Sequence, residues 1–227
     1  MSSTEHAEDD HDEDVDNYKE EIDRLIRRHR NEKFAPELLS FDQEVVESIS
    51  ELLHFVEKSL LDDRASGEQD PTHPSFYLRS TDADRLTYLL SDYLRIRLQK
   101  LQKYPLYYLE PERQHLLSSS ERVWLRDFWD NKRLYLENRC LLALPESKQR
   151  LDQKVDEQLD MVRSPCLDAH VYVRMHAKLE RSPSTQTGTE GSSVGLELNE
   201  GDTYLLRYNV VRQFLMQPEH DGKVELV

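Results

Sequence analysis

The chain has 227 residues, of which 33% are charged and 37% hydrophobic; it has only six glycines and a formal net charge of −15. That length suits one or two domains with a real core, and the composition favours helices over a sandwich or barrel. The acidic balance argues against unaided binding to duplex nucleic acid, which draws on a basic surface.

The imbalance is concentrated at the start. Residues 1–16, "MSSTEHAEDDHDEDVD", hold eight acids and no Lys or Arg, so the other 211 residues carry −7. A segment of this kind cannot bury apolar surface and is expected to be disordered. A first helix then follows from Asn17, its cap, with Tyr18, Ile22, Leu25 and Ile26 at helical spacing. Pro36 disfavours helix at Ala35, which ends it near Phe34. Ser40 and Gln43 have capping-box spacing ahead of a second helix, whose stripe is Val45, Ile49, Leu52, Leu53, Val56 and Leu60. The Gly, Pro, Ser and Asp content of 62–75 reads as a loop.

The third helix opens with a capping-box pair, Thr81 and Asp84, and lines Leu86, Leu90, Tyr93, Leu94, Leu98 and Leu101 along one face before Pro105. Ser118 and Glu121 repeat the capping-box spacing at the start of a fourth helix. That helix presents Trp124, Phe128, Tyr135 and Leu142 and is expected to run to Pro145. Four such helices form a bundle. After Pro165 the period changes to two around Val171, Val173 and Met175, the signature of a strand. Residues 194–208 read as strand, Asn-Glu-Gly-Asp turn, strand, preceded by a loop at Arg181–Ser193. "NVVRQFLMQ" suits a short helix and "GKVELV" a last strand. The expected fold is α+β. An acidic tail (1–16) leads into a helical domain (17–146), a linker (147–165) and a small β-rich domain (166–227).

Motifs for chemistry are missing. There is no Gly-rich phosphate loop, metal-spaced Cys/His set or nucleophile elbow, so no catalytic, cofactor or metal residue is expected. Two cysteines, Cys140 and Cys166, suit a reducing compartment rather than a disulfide framework. No apolar run reaches membrane-spanning length, so no membrane partner is expected. The cluster Arg24, Arg27, Arg28, Arg30 and Lys33 admits two readings. It is a nucleic-acid-binding module, or a solvated helix end with cations at the C-terminus of the dipole. A hydrolase with a carboxylate pair is a third class, although carboxylates among Lys and Arg on helices usually form a salt-bridged face.

Seven residues stand out as candidates for an interface. Arg97 falls within the apolar stripe of the third helix, where a charge must be paired or placed at an interface. Trp129 lies off the main stripe of the fourth. Leu205, Phe214, Val224, Leu226 and Val227 supply more apolar surface than a sheet module of about 60 residues is expected to bury alone. On this reading the module docks on partner subunits and the helical domain folds without it.

The blocks "NEKFAPELL" (Asn31–Leu39), "YLRIRLQKLQKYP" (Tyr93–Pro105), "LDAHVYVRM" (Leu167–Met175), "LLRYNVV" (Leu205–Val211) and "GKVELV" together resemble the GINS family of eukaryotic replication factors, and within it the Sld-five type of subunit. They occur in the family's order and span nearly all of the chain after the acidic head. The resemblance implies a helical A domain followed by a β-rich B domain, in a non-catalytic nuclear scaffold. It further implies a heterotetramer with three related Psf subunits, joined to the MCM ring and the Cdc-forty-five protein as the replicative helicase. DNA polymerase epsilon and a polymerase alpha adaptor complete the implied partners, with at most indirect or weak contact to DNA.

Overall fold

The computed structural model describes residues 5–66, 73–156, 159–177, 198–217 and 222–227. The expected loop at Arg181–Ser193, the first residues of the strand expected from Val194 and part of the loop at 62–75 lie outside them. The described chain forms helices α1 (Glu5–Phe34), α2 (Gln43–Ser66), α3 (Pro74–Lys103), α4 (Pro105–Leu109), α5 (Ser119–Arg139) and α6 (Tyr208–Met216). Its strands are β1 (Lys154–Asp156), β2 (Leu159–Asp160), β3 (His170–Met175), β4 (Thr203–Arg207) and β5 (Val224–Leu226). The α+β class holds, with a helical N-terminal part and a small antiparallel sheet with a helix near the C-terminus.

Helix boundaries differ from the sequence reading at several places: α2 runs on to Ser66, into the stretch read as a loop from Asp62, and four others each have a local reason. α1 begins at Glu5, so the expected disorder over 1–16 is replaced by helix from that residue on. Once a helix is nucleated, extension is cheap. α2 is capped by Asp42, not Ser40: the Val45 N–H donates to the Asp42 carboxylate at 3.5 Å and the Val46 N–H to its carbonyl at 3.3 Å. α3 starts at Pro74, a residue suited to the first helical position, with His73 Nδ1 accepting from the Ser75 N–H at 3.3 Å. Thr81 is therefore interior, and its hydroxyl donates back to the Tyr77 carbonyl at 2.7 Å. α5 stops at Arg139, short of Pro145; Cys140 leaves helical geometry at φ −144°. Two short 3-10 turns, Leu141–Ala143 and Glu146–Lys148, follow it, with Leu144 held extended before the proline. The capping box of α5 forms as read, Ser118 and Glu121 each satisfying the other's backbone N–H.

Two compact units emerge: Met1–Lys33 with Asp42–Leu94, and Phe34–Phe41 with Arg95–Val227. In the first unit Leu25, Val45, Ile49, Leu53, Ala83 and Tyr93 are buried, which matches the apolar periodicity of three helices. His29 and Asp92 pair at 2.8 Å there.

The second unit contains two apolar clusters. One gathers Leu38, Leu101, Tyr108, Leu116, Leu117 and Leu125 around the end of α3, α4 and the start of α5. The other lies under a three-stranded antiparallel sheet of order β4-β3-β5. Val171, Val173 and Met175 point inward from β3, and Val211 and Phe214 of α6 meet them. Gly201, at φ +84°, makes the turn ahead of β4, a conformation that side chains resist. The stretch expected as a linker carries the β1-β2 ladder.

Candidate functional site

Phe34–Phe41 is the hub of the second unit. With Pro36 excluding helix, alternate residues of this extended strap face different partners. Leu38 enters the helical cluster, while Ala35 and Leu39 enter the sheet cluster. Glu37, only 2% exposed, turns its carboxylate to α6. Its Oε1 accepts from the Tyr208 hydroxyl at 2.9 Å and Arg212 Nε at 2.5 Å, and its Oε2 from Arg212 Nη2 at 3.0 Å. Burial alone would lower the Arg212 pKa, but the bonds and charge of Glu37 outweigh it and hold the guanidinium above its ordinary range. Lys100 Nζ donates to the Glu37 carbonyl at 2.7 Å.

A second buried node surrounds Arg97, which is 0% exposed. Its Nε and Nη2 grip Glu121 at 2.7 and 3.0 Å, in the bidentate geometry that favours arginine. Nη1 donates to the Leu39 carbonyl at 2.8 Å and Nη2 to that of Leu116 at 2.9 Å. The phenyl ring of Phe41 lies 5.1 Å from the guanidinium carbon. The charge is thus held both by a carboxylate and by backbone carbonyls, all within the chain. Arg97 therefore has no surface to offer another subunit, and its candidacy as an interface residue is corrected.

The same correction applies to Phe214, Val224 and Leu226. All three are buried in the sheet cluster, because Ala35, Leu39 and α6 cover the inner face that the sheet would otherwise expose. The other candidates remain at the surface. Leu205 is 55% exposed, Val227 37%, and Trp129 is half-buried. Strand register brings two of these together through a residue that the sequence reading passed over. Tyr172 pairs with Leu205 on one side, and its carbonyl accepts from the Val227 N–H at 3.0 Å on the other. Leu205, Tyr172 and Val227 thus form one apolar row across three strands on the outer face, with Tyr172 58% exposed. The signal for Tyr172 was present: if Val171 and Val173 face inward, period two points Tyr172 outward.

The basic cluster is largely committed within the first unit. Arg24 bridges Asp42 at 2.9 Å and Glu44 at 3.3 Å, and Arg28 reaches Asp42 at 3.0 Å. Asp42 thus caps α2 and pairs with two of the five cations that the nucleic-acid reading needs. Among the described residues no group of His, Cys, Asp or Glu is placed to hold a metal ion, and no helix is long and apolar enough to cross a membrane.

Comparison with known proteins agrees with this architecture. The family model described as the GINS complex protein helical bundle domain matches residues 50–139, and that described as the C-terminus of the DNA replication complex GINS protein SLD5 matches residues 165–227. The chain is similar to the protein of that name from Bos taurus, 31% identical over 212 residues that cover 91% of this chain and 88% of the relative. It is 33% identical to the Arabidopsis thaliana protein over 214 residues, 91% of each chain. For the Saccharomyces cerevisiae protein the identity is 23% over 243 residues, 92% of this chain and 81% of the relative. With relatives this similar along nearly its whole length, the chain belongs to the SLD5 family of DNA replication complex GINS proteins.

Proposed function

We propose that this protein is a non-catalytic scaffold subunit of a heterotetrameric GINS complex in the nucleus, assembled with three related Psf subunits. The observation that carries the reading is the outer row of the sheet. Leu205, Tyr172 and Val227 expose apolar side chains side by side, where a solvated sheet face would carry polar ones. An aromatic residue between two aliphatic ones, with His170, Arg174 and Arg207 on the same face, has the composition of an interface centre with a polar rim. Family membership and the lack of a phosphate-binding loop in the sequence support a scaffold over a motor. The finer part of the proposal is that the tetramer joins the MCM ring and the Cdc-forty-five protein in the replicative helicase and helps to link polymerases to it.

Co-expression with the sister subunits, followed by native mass measurement, tests the reading. The wild-type chain yields one complex containing four different subunits. Tyr172→Ser with Leu205→Asp leaves the isolated fold intact, since both side chains are exposed, and weakens assembly at least tenfold. A full-strength tetramer with this double variant assigns the row to another partner. Triphosphate hydrolysis that tracks with this chain and disappears on substituting one of its residues refutes the scaffold.

A further inference from the structure

Trp129 lies between two adjoining depressions in the second unit, of about 250 and 230 Å³, that share Leu106, Trp129 and Leu151 as common lining. Their polar chemistry differs. The first is edged by cations already matched within the chain: Arg133 pairs with Glu137 at 3.3 Å, and Arg150 with Asp152 at 3.3 Å. Bonds from Arg150 hold the Asp152 carboxyl below its usual range. The second is lined by Lys103, Lys132 and Arg163 and by no carboxylate. Among the described residues, none of these three cations is in an ion pair. Lys103 and Lys132 instead lie 5.2 and 5.7 Å from the rings of Tyr104 and Phe128. In a chain of net charge −15, three cations around an apolar hollow, with no ion pair among the described residues, are a local inversion of sign.

We infer that this groove docks a short acidic peptide segment of a partner protein. A bulky apolar anchor sits against Trp129, Leu106 and Leu151, and flanking Asp or Glu side chains reach Lys103, Lys132 and Arg163. The size of the hollow and its aliphatic walls, Leu136 and Met161 among them, fit one or two side chains. A single strand of nucleic acid would need an open aromatic platform and a continuous basic track, and the surrounding acidic chain repels its phosphates. The rim cations are exposed to solvent, so salt weakens this docking.

The test pans a displayed library of random short peptides against the full chain and measures the enriched peptides by fluorescence anisotropy. Enrichment of one aromatic or leucine residue flanked by acids is expected. Affinity falls about tenfold in Lys132→Glu with Arg163→Glu and again in Trp129→Ala, and is unchanged in Lys58→Glu on α2. The charge-reversed variant alters only exposed side chains, so it keeps the test valid if Trp129→Ala fails to fold. Failure to enrich any peptide, enrichment of peptides without acids, or equal binding by the groove variants and wild type overturns the inference. Tighter binding of labelled oligothymidylate than of the enriched peptide, lost in the same variants, overturns it too and assigns the groove to single-stranded nucleic acid.

Discussion

Replacing Arg97 by alanine isolates the contribution of a buried charge held entirely within one chain. The substitution strips Glu121 of two bonds, at 2.7 and 3.0 Å, and leaves its carboxylate only the Ser118 N–H at 2.9 Å. The Leu116 carbonyl is partly protected, since it also accepts from the Phe41 N–H at 3.1 Å. The dominant cost is therefore the uncompensated charge on Glu121, about 3–5 kcal/mol for a buried pair broken from one side. Replacing both partners, Arg97→Met with Glu121→Leu, removes that charge. It leaves a loss of about 1 kcal/mol from the α5 cap, so the single and double variants differ by several kcal/mol. Arg95→Ala, at an exposed position of the same helix, costs less than about 1 kcal/mol. Both tryptophans, Trp124 and Trp129, lie on α5 in the second unit. Urea unfolding followed by tryptophan emission therefore reads that unit directly. Equal, small losses at Arg97 and Arg95, or a double variant no better than Arg97→Ala, would refute the reasoning.

Arg212→Ala leaves the Glu37 carboxylate buried with only the Tyr208 hydroxyl; because Arg212 is partly solvated, the expected loss is about 2–3 kcal/mol by the same urea measurement. Tyr208→Phe keeps the ion pair and costs about 1 kcal/mol. Deleting residues 1–16 removes roughly three turns of α1, since a turn takes about 3.6 residues. It should lower far-UV helical ellipticity in proportion, while the melting temperature and assembly with sister subunits stay unchanged. Truncation after Pro165 removes Tyr208 and Arg212 and uncovers Ala35 and Leu39; the remaining chain should unfold at lower urea than the intact protein, and an unchanged midpoint would count against the strap.

Periodic segments were legible where burial and local preference agreed. The inward set of β3 followed from alternation, α6 and β5 from short apolar runs, and the α5 cap from a single pair of residues. Arg97 was legible as an anomaly, because a charge in a buried stripe demands a partner. The identity of that partner was not, since Glu121 reads locally as a cap residue and serves both tasks. Helix starts failed where a competing cap existed nearby. Ser40 and Asp42 both suit the start of α2, and the choice falls to Asp42, which also collects Arg24 and Arg28. Glu37 carried no local signal at all. An acid between Pro36 and Leu38 reads as a solvated loop residue until the chain returns, more than a hundred residues later, with Tyr208 and Arg212.

That return also settles why so small a sheet buries Phe214, Val224 and Leu226. Judged as an isolated stretch of about 60 residues, the module has too much apolar side chain for its own area, and docking on another subunit was the economical expectation. The missing cover is supplied in cis. Ala35 and Leu39 come from the strap after α1, and sealing Leu39 alone is worth about 2 kcal/mol of apolar burial. The strap reaches both clusters because proline keeps it extended, so that neighbouring side chains diverge: Leu38 to the helices, Leu39 to the sheet. A helix continued through this segment could not divide its residues in that way. Pro36→Ala therefore does more than relieve a restriction. It lets α1 run on through Ala35 and Glu37, competing with the contacts to α6 and β3. It should lower the stability of the second unit even though proline, lacking an N–H, donates no bond of its own. Unchanged tryptophan-detected unfolding in Pro36→Ala would show that the strap is held by Glu37 and Leu39 alone, with no contribution from the break before it.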